Sequence, residues 1–191
     1  PSGMPLAFLC AGSLQQPEVK VREKSEDGNP ADLGSATHEA LETLVRTGAV
    51  DWSDMPRIAA KWRVAEDDLR GLVSAGRQLW AIVAPCMPDA MAEVALTAAL
   101  SDDVILTGRL DVLSVVGDVA VVADFKTGRE DSDYQHQVKA YAFLVLADNP
   151  AIREVKAAVL WLRETEVEWY TVTREKAAEW RYKRSLFDSW C

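Results

Sequence analysis

The sequence has few cysteines and no long apolar run. Its three cysteines form an odd and sparse set, which suits a reducing cytosol better than a secreted, disulfide-linked scaffold. No apolar segment approaches the roughly 20 residues that a membrane-spanning helix needs. The stretch Leu6–Cys10 is too short for the apolar region of a signal peptide. We therefore expect a cytoplasmic protein without a membrane span.

Basic residues are also scarce relative to acidic ones. The chain has 21 Lys and Arg against 30 Asp and Glu, for a net charge of −9. Taken alone, this balance argues against a nucleic-acid partner, because binding to phosphates depends on Lys and Arg. It leaves open a local basic groove, or a metal ion that bridges acidic side chains to a phosphate.

The chain is long and apolar enough to bury a core. With 191 residues, 49% of them hydrophobic, residues 1–191 are predicted to form a single domain that needs no disulfide or metal to fold. Residues 1–30 are predicted to be irregular, residues 34–173 to form the core, and residues 174–191 a final helix.

Periodicity predicts helices first and then strands. The first helix is expected at Gly34–Arg46, with Asp32 or Ser35 as its N-cap. The other predicted elements follow the same reasoning from apolar spacing and from turn residues. They are helices Met55–Arg63 and Glu66–Val83, strands Glu93–Leu100, Val104–Val116 and Val119–Phe125, helix Ser132–Leu146, and strands Val155–Leu162 and Val167–Val172.

The central strands are apolar on both faces. In Val104–Val116, alternation places Leu106, Leu110 and Val112 on one face, and it places Ile105, Leu113 and Val115 on the other. Strands of this kind are covered on both sides. The sequence therefore predicts an α/β fold with a central mixed β-sheet flanked by helices on both faces.

Two aspartates are predicted to face each other across a hairpin. Gly117-Asp118 is a good two-residue turn, and its register places Asp111 opposite Asp124 with their Cβ atoms about 5 Å apart. Such close carboxylates repel unless a cation or a proton lies between them. Lys126, two residues after Asp124, projects from the same face.

Glu93 extends this acidic row under one of two registers. If Ser101-Asp102-Asp103 is a three-residue loop, Glu93 falls opposite Asp111. A two-residue turn would instead move Glu93 to the other face.

These residues resemble a known family. Gly108-Arg-Leu-Asp111 followed by Asp124-Phe-Lys126-Thr-Gly128 is similar to the core of the PD-(D/E)XK nuclease superfamily, although Leu110 replaces the nominal proline. Gly34-Ser-Ala-Thr-His38-Glu-Ala-Leu-Glu42 and Gln137-Val-Lys-Ala-Tyr141 resemble the histidine and Q-x-x-x-Y motifs of its RecB-like exonuclease branch, which includes CRISPR-associated and phage nucleases. The resemblance covers about residues 34–146 and implies a restriction-endonuclease-like fold.

The resemblance also implies a set of site residues. Mg²⁺ or Mn²⁺ would be bound by His38, Asp111, Asp124 and the backbone carbonyl of Phe125, because hard oxygen ligands suit these ions and imidazole favours Mn²⁺. Lys126 would act with Asp111 and Asp124 in catalysis by positioning or deprotonating a water molecule.

Two pairs of residues, each one turn apart on a predicted helix, give further candidate site residues. Gln137 and Tyr141, one turn apart on a helix, would contact the DNA backbone and the surroundings of the lysine. The alternative is an ordinary pair on an amphipathic helix. Glu42 either orients His38 or is a solvated side chain.

Some RecB-like nucleases hold an iron–sulfur cluster, which needs four thiolates. Cys10 and Cys191 lie near the positions of such ligands, but Cys86 does not. A complete cluster is therefore not supported by this chain.

The sequence thus predicts a divalent-metal-dependent deoxyribonuclease, an exonuclease acting on single- or double-stranded DNA. The resemblance places it in recombination, phage DNA processing or CRISPR adaptation, with protein partners from those systems, in a bacterium or in a phage-infected host. One alternative is a non-cleaving DNA-binding or scaffold module. Another is an acidic metal-binding hydrolase that acts on a different substrate.

Overall fold

A computed structural model describes residues 30–99, 105–128 and 134–182. The irregular segment predicted over residues 1–30 lies outside the described part of the chain except for Pro30. Cys10, Cys191 and the last part of the predicted final helix also lie outside it.

Three helices come first: α1 (Pro30–Thr47), α2 (Met55–Trp62) and α3 (Glu66–Val83), followed by a short 3-10 turn at Ala84–Cys86. Helix α1 begins four residues before the predicted start, so the predicted N-cap at Asp32 or Ser35 is wrong. The Ser35 hydroxyl instead donates to the carbonyl of Ala31 at 3.0 Å within the helix, as serine does when it bonds back to the preceding turn.

Five strands and two further helices complete the described fold. The strands form one sheet in the order β1-β2-β3-β4-β5. All neighbouring strands are antiparallel except β3 and β4, which are parallel. The elements are β1 (Met91–Ala99), β2 (Ile105–Val116), β3 (Val119–Lys126), α4 (Tyr134–Asp148), β4 (Glu154–Trp161), β5 (Glu166–Thr173) and α5 (Arg174–Tyr182).

Helices cover both faces of the sheet. On one face, α1, α2 and α3 pack against alternate residues of the central strands, such as Val121 and Phe125. On the other face, α4 packs against the intervening residues, such as Val122 and Val159. The predicted α/β architecture, a mixed sheet with helices on both sides, is confirmed.

The predicted register of the hairpin β2–β3 is confirmed, and the hairpin β1–β2 has one of the two registers that the sequence leaves open. Gly117, with φ of 62°, begins the two-residue turn, and pairing runs from Val116↔Val119 to Val112↔Ala123. That register carries Asp111 towards Asp124. In the first hairpin, Ala92↔Val112 and Val94↔Leu110 give the register of a three-residue loop, although residues 100–104 of the loop lie outside the described chain.

The first hairpin changes its alternation at one point. Leu110 and Leu113 both face the layer of α4, whereas Val112 faces the layer of α1–α3. The prediction that Leu110 and Val112 share a face is therefore wrong. The reason is local: Glu93, between the pairs Ala92↔Val112 and Val94↔Leu110, has φ of 59°, so both strands depart from regular pleating beside Asp111.

The apolar residues at the ends of β2 are less covered than predicted. Ile105 and Val115 are exposed, because the predicted two-sided coverage extends only over the middle of that strand. Within the described ranges, no helix combines the length and apolar character that crossing a bilayer would require.

Candidate metal centre

Five elements converge where the pairing between β2 and β3 ends: these two strands, β1, α1 and α4. Helix α1 approaches the end of β3 closely, and a Cβ atom at Gly34 would lie 3.1 Å from Oγ1 of Thr127. The absence of a side chain at Gly34 thus permits this approach. One turn further along the helix, His38 reaches the sheet.

Asp111 connects β2, β3 and α1. Its Oδ2 accepts a hydrogen bond from the backbone N–H of Phe125 at 2.8 Å, and its Oδ1 lies 3.2 Å from Nδ1 of His38. Burial alone would raise the pKa of this carboxyl, but His38, Lys126 and the Phe125 N–H outweigh burial and lower it. Asp111 is therefore held as a carboxylate.

His38 is polarised by the same contact. Burial opposes its protonation, but the charge of Asp111 and the hydrogen bond to it, with a further contribution from Asp124, raise the pKa of His38 above its ordinary value. A positive charge on the imidazole is thus favoured by the surrounding carboxylates. The same negative surroundings would favour a bound cation.

Asp124 and Lys126 form a second pair beside the first. Lys126 Nζ lies 3.0 Å from Asp124 Oδ2, and the aspartate side chain is 5% exposed. Burial, reinforced by the charge of Asp111, raises the pKa of Asp124 to about 6 although Lys126 opposes the shift. An ionised Asp124 is therefore costly for the folded protein, as expected for a buried carboxylate beside another one.

Helix α4 brings Gln137 and Tyr141 to Lys126. Gln137 Oε1 accepts from Lys126 Nζ at 3.3 Å, and Gln137 Nε2 contacts the Tyr141 hydroxyl oxygen at 2.5 Å. Tyr141 is 5% exposed, and burial together with the charges of Asp124 and Asp111 raises its pKa. Gln137 therefore contacts the lysine directly, and Tyr141 contacts Gln137.

The donor chemistry fits a divalent cation. Among the described residues, the one cluster of three potential ligands comprises His38, Glu93 and Asp111, whose donor atoms all lie within 4.8 Å of one another. Asp124 adjoins this cluster. Its contacts with Lys126 and Tyr134 both fall on Oδ2, so neither engages Oδ1. One imidazole and several carboxylates form a ligand set that suits Mn²⁺ or Mg²⁺.

Glu93 belongs to this cluster and also forms an ion pair with an arginine side chain. Its carboxylate forms an ion pair with Arg109, one strand away, while burial raises its pKa. Glu42, by contrast, accepts a 2.8 Å hydrogen bond from Arg46 Nε. It is His38's contact with Asp111, rather than one with Glu42, that orients the imidazole in this structure.

Sequence reasoning missed Tyr134. Its hydroxyl donates to Asp124 Oδ2 at 2.7 Å, and its ring lies 4.4 Å from Lys126 Nζ. The available signal was its spacing from Gln137, because residues three apart share a helical face.

The match to a family model agrees with the motifs. The model of the PD-(D/E)XK nuclease superfamily matches residues 5–190, and no curated protein matches the sequence. A solved structure named "Putative exonuclease", from Eubacterium rectale, is similar at 11% identity and a TM-score of 0.48, covering 94% of this chain and 73% of that one. The structure of a protein named SSO0001 is similar at 14% identity and a TM-score of 0.37, covering 90% and 78%. With a family model matched over nearly its whole length, the chain belongs to the PD-(D/E)XK nuclease superfamily.

Proposed function

We propose that the protein is a divalent-metal-dependent deoxyribonuclease that degrades DNA from its ends. The observation that carries the proposal is the convergence of His38 and Asp111 with Asp124 and Lys126 where the pairing between β2 and β3 ends. A family that comprises nucleases supplies the reaction class. The two residue pairs supply the groups that this reaction needs.

The cation would be held by His38, Asp111, Asp124 and the backbone carbonyl of Phe125. Glu93 joins this set because its carboxylate lies in the same cluster as His38 and Asp111. When bound, a divalent ion neutralises charge on the phosphate and lowers the pKa of a water molecule. A bound cation would also explain how a chain of net charge −9 can accept an anionic substrate.

Lys126 is the proposed group that acts on the water. Its ammonium is held by Asp124 Oδ2 and Gln137 Oε1, and its side chain is 20% exposed. A fixed cation at this depth can orient the attacking water and stabilise the negative charge that develops on the phosphoryl oxygens.

Gln137 and Tyr141 are proposed to support DNA binding through this lysine. Tyr141 is buried, so we assign the contact with the DNA backbone to Gln137 and the support of Gln137 to Tyr141. Likeness to RecB-like motifs is what supports a role in recombination, phage DNA processing or CRISPR adaptation, with partners from those systems.

Cleavage of matched linear and covalently closed circular DNA tests the proposal. We expect Mg²⁺- or Mn²⁺-dependent loss of linear DNA, single- or double-stranded, with release of short products and no nicking of the closed circle. Nicking of the circle would contradict the exonuclease assignment. Uncut linear DNA under all cation conditions would contradict the nuclease.

The histidine gives a first testable prediction. His38→Ala removes the imidazole and leaves Asp111 with its Phe125 contact, so metal binding measured by calorimetry should weaken by roughly 10- to 100-fold. Cleavage should fall and recover in part with excess Mn²⁺. A substitution of His136, outside the cluster, serves as the control. Wild-type metal affinity in His38→Ala would show that His38 is not a metal ligand and has only a structural role.

The helix pair gives a second prediction. Gln137→Ala removes a contact of Lys126, and Tyr141→Phe removes the hydroxyl that contacts Gln137. Both changes should lower DNA cleavage or binding, Gln137→Ala by about 10-fold and Tyr141→Phe by less, since Gln137→Ala deletes the hydrogen bonds to Lys126 and to Tyr141 whereas Tyr141→Phe deletes only the second. Circular dichroism should show an unchanged fold. Full activity of both variants on all substrates would overturn the assignment.

A further inference from the structure

Tyr134, the first residue of α4, contacts both members of the Asp124–Lys126 pair. Its hydroxyl donates to Asp124 Oδ2 at 2.7 Å. Its ring lies beneath Lys126 Nζ, 4.4 Å from the ring centroid, a distance at which the aromatic face attracts an ammonium group. One half-buried side chain thus touches a proposed metal ligand and the proposed catalytic lysine.

These contacts determine where the ammonium of Lys126 lies. It is bounded by Asp124 Oδ2 at 3.0 Å, by Gln137 Oε1 at 3.3 Å and by the face of Tyr134. A lysine has long, flexible geometry and three N–H donors, so one or two contacts would leave it several orientations. The aromatic face of Tyr134 bounds the ammonium group of Lys126 on a third side.

The same residue selects the orientation of Asp124. Both Tyr134 and Lys126 contact Oδ2, and neither contact uses Oδ1. Among the described residues, these contacts fix the carboxylate through one oxygen and leave its other oxygen to serve as a metal ligand. Outer hydrogen bonds of this kind orient ligating carboxylates in metal sites.

The ring of Tyr134 is itself supported. It packs against the indole of Trp161, with ring centroids 4.9 Å apart and planes at 63°, and Trp161 lies beside Lys126 in the parallel register of β3 and β4. Trp161 Nε1 donates to Glu168 Oε2 on β5 at 3.4 Å. Strands β4 and β5 thus hold the ring against the lysine.

We propose that Tyr134 is a positioning residue of the nuclease site, which orients Asp124 through its hydroxyl and Lys126 through its ring. This inference rests on the proposed function and extends it to a side chain outside the family motifs. The two roles are separable. Tyr134→Phe removes the hydroxyl and keeps the ring, whereas Tyr134→Leu removes both.

Single-turnover cleavage of linear DNA provides the first readout. Tyr134→Phe should lower the rate constant at saturating DNA by about 10-fold, the effect of one lost hydrogen bond to a charged group. Tyr134→Leu should lower it by about 100-fold, because the cation–π contact is lost as well. The DNA concentration for half-maximal rate should stay unchanged in both. Calorimetry should show weaker Mn²⁺ binding in both variants, because Asp124 loses its orienting donor.

Tyr170 is the matched control. It is a half-buried tyrosine of β5 that packs against the same core cluster as Tyr134, two strands from Asp124 in the sheet. Tyr170→Phe and Tyr170→Leu remove the same atoms at a different place. They should leave the rate constant and the Mn²⁺ affinity unchanged, even where Tyr170→Leu lowers the melting temperature.

A spectroscopic readout needs neither metal nor DNA. In the wild type, the protons on Cε of Lys126 should be displaced upfield by the Tyr134 ring, and Lys126→Arg identifies their signal by its loss. Tyr134→Phe should keep this displacement and Tyr134→Leu should abolish it. A Lys126 signal at the position of ordinary lysines in the wild type would overturn the inference.

The kinetic result separates this inference from the proposed function. A wild type that cleaves DNA, with Tyr134→Leu cleaving at the same rate, overturns the role of Tyr134 and leaves the nuclease intact. A wild type that does not cleave, with the lysine signal displaced as expected, overturns the nuclease. The ordered losses in Tyr134→Phe and Tyr134→Leu, with unchanged Tyr170 variants, support both.

Discussion

Asp124→Asn should melt at a higher temperature than the wild type in EDTA, yet should not cleave DNA in Mg²⁺ or Mn²⁺. Asp124 is buried, and burial and the charge of Asp111 raise its pKa to about 6, so its ionised form destabilises the folded protein. Asparagine keeps an oxygen that can accept from Tyr134 but carries no charge. The gain should be about 1–2 kcal/mol, or roughly 2–8 °C for a chain of this size.

The loss of activity has a separate cause. Asparagine is a poor ligand for a hard divalent ion compared with a carboxylate, so the variant should also lose most of the metal-induced rise in melting temperature that ligand linkage produces in the wild type. Stability and activity therefore change in opposite directions. A solvated surface aspartate would change neither.

Asp118→Asn is the matched control. Asp118 lies in the turn of the same hairpin, with its side chain 62% exposed and 3.9 Å from Arg153. Its substitution should leave the melting temperature, the metal-induced shift and the cleavage rate unchanged. The measurements are thermal melts in EDTA, Mg²⁺ and Mn²⁺ beside a cleavage assay. An Asp124→Asn protein that still cuts DNA with metal would remove Asp124 from the catalytic site.

Lys126→Met should reduce the rate of DNA cleavage by about 10²–10⁴-fold, the range for loss of a positioned proton-transfer or charge-stabilising group. Methionine retains much of the length of the side chain and can pack on the Tyr134 ring, so the fold should persist. The variant should melt below the wild type in EDTA, because it leaves the buried Asp124 carboxylate without its nearest cation.

The metal response distinguishes this variant from Asp124→Asn. Lys126→Met keeps the Asp124 carboxylate as well as His38 and Asp111, so it should keep a metal-induced rise in melting temperature. Lys156→Met is the control: Lys156 lies on β4 with 51% of its side chain exposed, 3.7 Å from Glu154, and its loss should change neither rate nor metal response. Near-wild-type cleavage by Lys126→Met would remove the lysine from the reaction.

Much of the site could be predicted because strand geometry is regular. A two-residue turn at Gly117 fixes the register of β2 and β3, and that register alone brings Asp111 towards Asp124. The apolar runs of the central strands likewise predicted helices on both faces. Both predictions depend only on the side-chain period of two along a strand and on which single residues are apolar.

Other features depend on geometry that the sequence does not express. The change of face between Leu110 and Leu113 accompanies a left-handed φ at Glu93, which is uncommon for residues other than glycine. Helix α1 begins earlier than predicted because Pro30 follows Gly28-Asn29, which are typical turn residues and favour an irregular segment up to residue 30. Proline also suits the first turn of a helix.

The role of Tyr134 could not be predicted because it depends on tertiary contacts. Its spacing from Gln137 placed the two on one helical face, but only the packing of α4 against β3 brings the hydroxyl to Asp124 and the ring to Lys126. Composition does not argue against the proposed substrate, for a related reason. A net charge of −9 describes the whole chain, whereas the proposed reaction depends on one half-buried cluster and on the cation that it would bind.

The most direct test of metal-dependent DNA cleavage by this site is a single-turnover assay of end-labelled linear DNA, with Mg²⁺ or Mn²⁺ titrated against wild type and Asp111→Asn. Asp111 contacts both His38 and the Phe125 backbone, so its carboxylate is the one on which the arrangement most depends. We expect wild-type cleavage that rises with cation and is absent in EDTA, and no cleavage by Asp111→Asn at any cation concentration. Equal cleavage by the two proteins, or none by the wild type, would contradict the account.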